Sequence, residues 1–225
     1  MNIRNFISTE LSISENAENL FKNFLFKIGE TCYLLGEIEF YLNDNGNHID
    51  PFVHCNSQQL EYGKFYYHRE PLAKLGFTLK GLDFTYGNKD KNIYAGILIR
   101  AIYNPKTGEY IDGPSKVVDE ILTKSEVESV SKLKEYQLDK EIKLVYNKNT
   151  NKRLWEYVNS KNPKHFDGQL YVGRRIGLKI SKKIMVGTEQ YKKMEKYQNA
   201  LYRYCVFRQI KKKEKTKLKS YFSLI

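Results

Sequence analysis

Apolar residues recur every three to four positions over Ser14–Glu30, at Leu20, Phe21, Phe24, Leu25 and Ile28, which predicts an amphipathic helix resting on a core. From Cys32 to Leu42 (CYLLGEIEFYL) the pattern becomes an apolar and aromatic run that stops at Asn43-Asp44-Asn45-Gly46, so this stretch reads as a strand running into a loop. Further strands are expected at Lys64–His68, Phe77–Tyr86 and Ile93–Tyr103, punctuated by Gly76, Gly87 and Asn104-Pro105. Gly113-Pro114-Ser115-Lys116 opens a helix through Leu122, with proline in the first turn where its missing N–H is not needed. Ser125 and Glu128 form a capping-box pair for another helix to about Tyr136. Strands return at Ile142–Tyr146, Gln169–Ile180 and Ala200–Ile210. This order predicts a single α+β domain over residues 1–210, built on a curved antiparallel sheet flanked by helices. Residues 211–225 read as a basic C-terminal arm, in which the stretch Lys211–Lys219, with six lysines against one glutamate, is expected to be solvated.

Charge sharpens that division. The 225 residues carry a net +12, but Arg174–Lys219 alone holds 16 Lys and Arg against 3 Asp and Glu, a net of +13, so the remainder sums to −1. A nearly neutral body with a basic C-terminal quarter points to a polyanionic partner. No window holds the 18 consecutive apolar residues of a membrane span, and acidic residues interrupt Met1–Phe26, unlike a signal peptide. An intracellular location, cytoplasmic or nucleoid or nuclear, is expected, with Cys32, Cys55 and Cys205 as reduced thiols.

Several chemistries lack their signatures. No HxE with PCxxC, GxGxxG or GxxxxGK[ST] occurs, so zinc-dependent base deamination and nucleotide cradles of those types are not expected. His48 and His54 with Asp44 and Asp50 could in principle bind a metal, but no HxxxH, HExxH or CxxC spacing supports one. The densest polar and aromatic cluster is instead Glu37–His54. On a strand, Glu37, Glu39 and Tyr41 alternate with Ile38 and Phe40 and so share one face, which suits a pocket for a flat substrate as well as the solvated side of an edge strand. Tyr66 and His68 likewise share a face, and Arg100 ends the apolar run IYAGILIR, where it fits either a rim ion pair or a partner for a catalytic carboxylate.

These motifs resemble the alkyladenine, or 3-methyladenine (methylpurine), DNA glycosylases. GEIEFYLNDNGNHIDPFVH is similar to that family's ETEAY strand and histidine-ended loop, and Gly63–His68 to its GxLYVY segment. Ile97–Ile102 resembles LLRAL, Gly113–Val117 resembles GPSKL, and Arg175–Leu178 and Leu201–Arg208 resemble RVGV and LRFYVRG, all in the same order over about Glu37–Gln209. The resemblance implies a monofunctional base-excising hydrolase of DNA repair, acting on duplex DNA after base flipping, as a monomer without cofactor or metal. It assigns Glu39 as the general base and Arg100 as the group orienting Glu39 and water. Tyr41, His54, His68, Tyr66 and Asp83 would form the base pocket. Lys116, Arg174, Arg175, Lys179, Lys182, Lys183, Arg203 and Arg208 would contact the phosphate backbone.

The chain departs from that pattern at three points. His68 replaces a stacking tyrosine and either stacks or forms a hydrogen-bonded wall. Residues 69–77 lack the family's duplex-inserting tyrosine, leaving Leu75 or Phe77 as candidate wedges. The asparagine that screens the purine edge has Asp83 or Thr85 as its nearest counterpart, and an aspartate offers acceptors only. A selectivity unlike that of ordinary 3-methyladenine enzymes is therefore expected. The alternative reading is a non-catalytic DNA- or RNA-binding module on the same fold, since a charge count does not separate the two nucleic acids.

Overall fold

The computed structural model describes residues 2–44, 46–68, 81–161, 166–207 and 219–224. Its centre is the long strand β2 (Thr31–Asn43), and every strand pairing is antiparallel. Around it lie β1 (Phe24–Ile28), β3 (Tyr62–His68), β4 (Gly81–Tyr86), β5 (Tyr94–Asn104), β6 (Glu109–Asp112) and β7 (Ile142–Tyr146). The late strands are β8 (Phe166–Gly173), β9 (Arg203–Phe207) and β10 (Lys219–Ser223). The ten-stranded sheet runs in the order β10-β8-β9-β2-β5-β4-β3, with β1 bridging β2 to β7 and β6 beside β5. The helices are α1 (Ile13–Asn23), α2 (Pro114–Lys124), α3 (Val130–Glu135), α4 (Lys148–Ser160) and α5 (Glu189–Gln198). The architecture is the expected mixture of helices with an antiparallel sheet, and among the described residues no helix is long and apolar enough to cross a membrane.

Period-2 alternation divides the sheet into two chemically distinct faces. Ile38 and Phe40 of β2, Ile97 and Ile99 of β5, and Leu82 and Phe84 of β4 join the apolar core with Val117, Val118 and Ile121 of α2. The opposite face carries the polar set. Because cross-strand partners share a face, the pairings Arg203↔Glu39, Glu39↔Leu98, Leu98↔Asp83 and Asp83↔Tyr66 place these five residues in one row across five strands.

Several expectations change, each for a local reason. The predicted helix over Ser14–Glu30 stops at Asn23, because FLFKI forms β1 between β2 and β7. Its β-rich composition and the left-handed Gly29 (φ +53°), in the two-residue turn to Thr31, favour a hairpin over another helical turn. Trp155 Nε1 and Asn151 Nδ2 of α4 donate to Phe21 O and Phe24 O, tying α4 across that junction. Ser125 does not open the next helix: its N–H, and that of Val127, close α2 on Ile121 O and Leu122 O around left-handed Glu126. Ser129 caps α3 instead, through Lys132 N–H.

The expected strand Gln169–Ile180 is shifted to Phe166–Gly173, since Arg175 turns inward beyond it. The expected strand Ala200–Ile210 is described as Arg203–Phe207. Within the C-terminal arm, Lys219–Ser223 forms β10, paired along β8, while residues 211–218 of the lysine run expected to be solvated lie outside the described residues. Residues 77–80, expected at the start of β4, and 208–218 lie outside the described residues, as do both candidate wedges, Leu75 and Phe77.

Candidate active site

Strand alternation brings Glu37, Glu39 and Tyr41 to the same face, as their spacing predicts. A paired irregularity positions their arginine. Gly36 of β2 and Arg100 of β5 are both skipped in the register between Leu35↔Ile102 and Ile38↔Ile99, and Arg100 lands on the carboxylate face. Gly36 is required there, because a Cβ would lie 2.6 Å from the Tyr110 ring and 3.2 Å from Ala101 O. Arg100 Nε donates to Glu37 Oε1 at 2.8 Å, and its Nη1 lies 3.4 Å from Glu39 Oε1.

Glu39 is fully buried. Its Oε1 accepts from Ile176 N–H at 2.6 Å and its Oε2 accepts from the Tyr41 hydroxyl at 2.9 Å. A carboxylate has about four acceptor directions, so Oε2 retains a second lone pair beyond the Tyr41 bond. Burial, followed by the charge of Glu39, raises the Tyr41 phenol well above its ordinary value, which keeps it a donor to Glu39. Burial also raises Glu37, opposed by Arg100 and Arg203. For Arg100, burial works against the charged form, but Glu39 and Glu37 outweigh it and the net shift is upward. The cluster is therefore a fixed electrostatic unit whose cationic side stays charged.

Beside it lies a cavity of about 110 Å³, walled by Tyr41, Leu98, Asp83 and His68 from the sheet and by His54 from a loop. His68 Nε2 is 2.8 Å from Asp83 Oδ1, and the His54 and His68 rings meet at 4.7 Å with a steep interplanar angle of 61°. Aromatic and imidazole surfaces thus line a slot with a buried carboxylate, Asp83, in its floor. Tyr66 does not line this slot. Its hydroxyl sits 3.3 Å from His54 Nδ1, so it supports the histidine wall from the rim. Thr85, the other counterpart considered for the purine-edge asparagine, bonds the backbone of Lys64.

Three wall residues lie outside the set that the sequence predicts. Gln59 Nε2 lies 3.4 Å from Asp83 Oδ2 and is held by a short 3-10 turn over Ser57–Leu60, in which Asn56 and Gln59 form a capping box. The N-x-x-Q spacing is a legible signal for that turn. Phe52 and Leu178 complete the lining, each from an irregular segment outside the named strands and helices. Gly96 makes space for the floor, because a Cβ there would lie 2.6 Å from Asp83 Oδ2 and 3.2 Å from Gln59 Nε2. Asp83 is short, buried and strand-bound, so it cannot swing aside cheaply. Gly96→Ala is expected to destabilise the chain by about 1–3 kcal/mol, read by calorimetry; an unchanged melting temperature would contradict this packing.

The residues assigned to the phosphate backbone separate into two groups. Lys116, Arg174, Lys179, Lys182 and Lys183 are exposed. Arg175 and Arg203 are not, and their assignment as phosphate contacts is corrected. Arg175 is fully buried: Nη1 donates to Asp50 Oδ2 at 2.5 Å and to Phe40 O at 3.2 Å, and Nη2 to Tyr197 O at 3.0 Å. Its guanidinium also stacks 4.6 Å from the Tyr41 ring centroid. Arg203 lies buried in the site row, with Nη1 3.6 Å from Glu37 Oε1. Arg208 lies outside the described residues. Among the described residues of the Asp44–His54 loop, Asp50 holds Arg175 and His48 stacks on Tyr202 at 5.5 Å.

Uncharacterized protein L759 of Acanthamoeba polyphaga mimivirus is 34% identical to this chain over 233 residues, covering 94% of this chain and 97% of that protein. No protein-family model matches the chain.

Proposed function

The chain belongs to the same family as the mimivirus protein L759, and we propose that it is an N-glycosidic hydrolase that removes a modified purine base flipped out of duplex DNA. The observation that carries this reading is the placement of Glu39 and Arg100 beside the Tyr41–His54–His68 slot on one sheet face. The overall fold would then be of the methylpurine-glycosylase type, which the ordered motifs from Glu37 onward favour.

In this reading the everted base enters the slot, and its ring stacks on Tyr41 and the imidazoles. Stacking tolerates different bases and contributes about 1–3 kcal/mol per base. Water held on Oε2 of Glu39 attacks C1′ of the sugar as the bond to the base nitrogen breaks. The bond's electron pair leaves with the base, one water proton passes to Glu39 and on to solvent, and the remaining hydroxyl stays on C1′. Arg100, itself held by Glu37, keeps Glu39 in place, and the Glu39 carboxylate puts negative charge beside a sugar gaining cationic character. These residues need no metal or cofactor for that step. Asp83, with His68 and Gln59 against its oxygens, presents the base edge with a pattern different from that of an amide, which supports an altered lesion preference.

Single-turnover release of free base from duplexes bearing alkylated, deaminated or etheno-bridged purines tests the proposal. Release is expected from at least one, with a ranking unlike that of ordinary 3-methyladenine enzymes. A profile matching those enzymes would remove the selectivity argument. Duplex binding with no release from any substrate would instead favour the non-catalytic reading.

A further inference from the structure

The segment joining β8 to α5 carries a feature that neither the pocket nor the fold requires. Met185 and Val186 are 73% and 74% exposed, the most exposed of the large hydrophobic side chains among the described residues. They are not on a loose strand of coil. Ile184 N–H donates to Ser181 O at 3.0 Å, closing one tight turn, and Thr188 N–H donates to Met185 O at 3.3 Å, closing the next. Thr188 Oγ1 also donates to Met185 O at 2.8 Å while accepting from Tyr191 N–H as the N-cap of α5. Gly187, at φ +89°, takes the left-handed third position of that turn, which puts Val186 at its corner and Met185 at its first position. The chain thus spends hydrogen bonds to hold two apolar side chains in water.

The same segment is tied to the candidate site. Ile176 N–H fixes Glu39, and Leu178, seven residues before Met185, lines the cavity and is pinned to α5 by Gln198 Nε2 at 2.8 Å. Lys179, Lys182 and Lys183 are exposed between the cavity wall and the apolar tip. An apolar point flanked by cations, on the segment whose Leu178 lines the slot, has the chemistry of a duplex wedge: cations neutralise phosphates while an inserted side chain unstacks a base step.

We propose that Met185 and Val186 form a wedge that enters a nucleic-acid duplex and occupies the gap left by an everted nucleotide, with Lys179, Lys182 and Lys183 on the flanking phosphates. The inference rests on the base-flipping reading for the gap, but its test is binding and not cleavage. A membrane surface is the other partner that cations around apolar residues could fit. Even one acyl chain gives only marginal anchoring, and two short side chains bury far less.

Binding of the full chain to an intact DNA duplex and to the same duplex carrying one tetrahydrofuran abasic-site analogue decides the matter, with titration over salt concentration. The wild type is expected to prefer the gapped duplex. The exposed double variant Met185→Ala/Val186→Ala should lose at least about tenfold of that preference with the salt slope retained. Met185→Phe should keep the preference, because a larger apolar side chain still fills the gap. Lys182→Ala/Lys183→Ala should weaken both duplexes alike and flatten the log–log salt slope by about 0.9 per lost contact. Equal binding of the two duplexes by the wild type, or an undiminished preference in the double alanine variant, would overturn the wedge. So would binding to phosphatidylserine vesicles in place of DNA. A wedge-dependent preference without base release would leave this inference standing and remove the hydrolase reading alone.

Discussion

Arg175→Ala is expected to lower stability by about 3–5 kcal/mol, because removing one partner of a buried ion pair leaves the other charge uncompensated. Asp50 is itself fully buried, and Phe40 O and Tyr197 O lose the same donor. At roughly 2–4 °C per kcal/mol for a chain of this size, the melting temperature should fall by about 10 °C. Tyr41 also loses the guanidinium stacked on its ring, so the slot should loosen together with the fold. The double variant Arg175→Met/Asp50→Leu should recover part of the loss, since a well-packed apolar pair can replace a buried ion pair. A different outcome, in which Arg175→Ala melts like the wild type and only weakens DNA binding, would restore Arg175 as a phosphate contact.

Glu39→Gln should cost about 10²–10⁴-fold in base release while the chain stays folded and binds its duplex. Glutamine keeps the length of the side chain and an oxygen able to accept from Ile176 N–H, and its amide can donate to the Tyr41 oxygen. Arg100 retains Glu37 at 2.8 Å and is not left as an isolated buried charge. What the variant lacks is a basic oxygen to take the proton of the attacking water. Tyr41 does not substitute as the base, because burial, the largest cause of its raised pKa, remains in the variant and keeps the phenol protonated.

The part of the molecule most legible in its sequence is the one where period and chemistry agree. In EIEFY, alternation alone places Glu37, Glu39 and Tyr41 on one face, and the apolar residues between them build the core face. Phe24–Ile28 was harder, because Phe24, Leu25 and Ile28 fit a helical stripe as well as a strand; only pairing with β2 and β7 decides between them. Arg175 and Arg203 are illegible for a different reason. Arginine is ordinarily exposed, and these two sit in a basic region, so charge outweighed context. The contrary signal lies in their neighbours: in LYRYCVF, Arg203 shares its strand face with Cys205, and the two oppose Glu39 and Glu37 across the register. The slot's walls from Phe52, Gln59 and Leu178 come from irregular segments, where no period reports which way a side chain faces. The Met185–Val186 tip was visible only as a break in a run of lysines.

The most direct test of the account is single-turnover base release by the wild type and Glu39→Gln on the same modified-purine duplex, with binding measured in parallel. The account predicts release by the wild type, loss of about 10²-fold or more in the variant, and closely similar duplex affinity for both. Equal release by the two proteins would contradict the assignment of Glu39, and tight binding with no release by either would contradict hydrolysis itself.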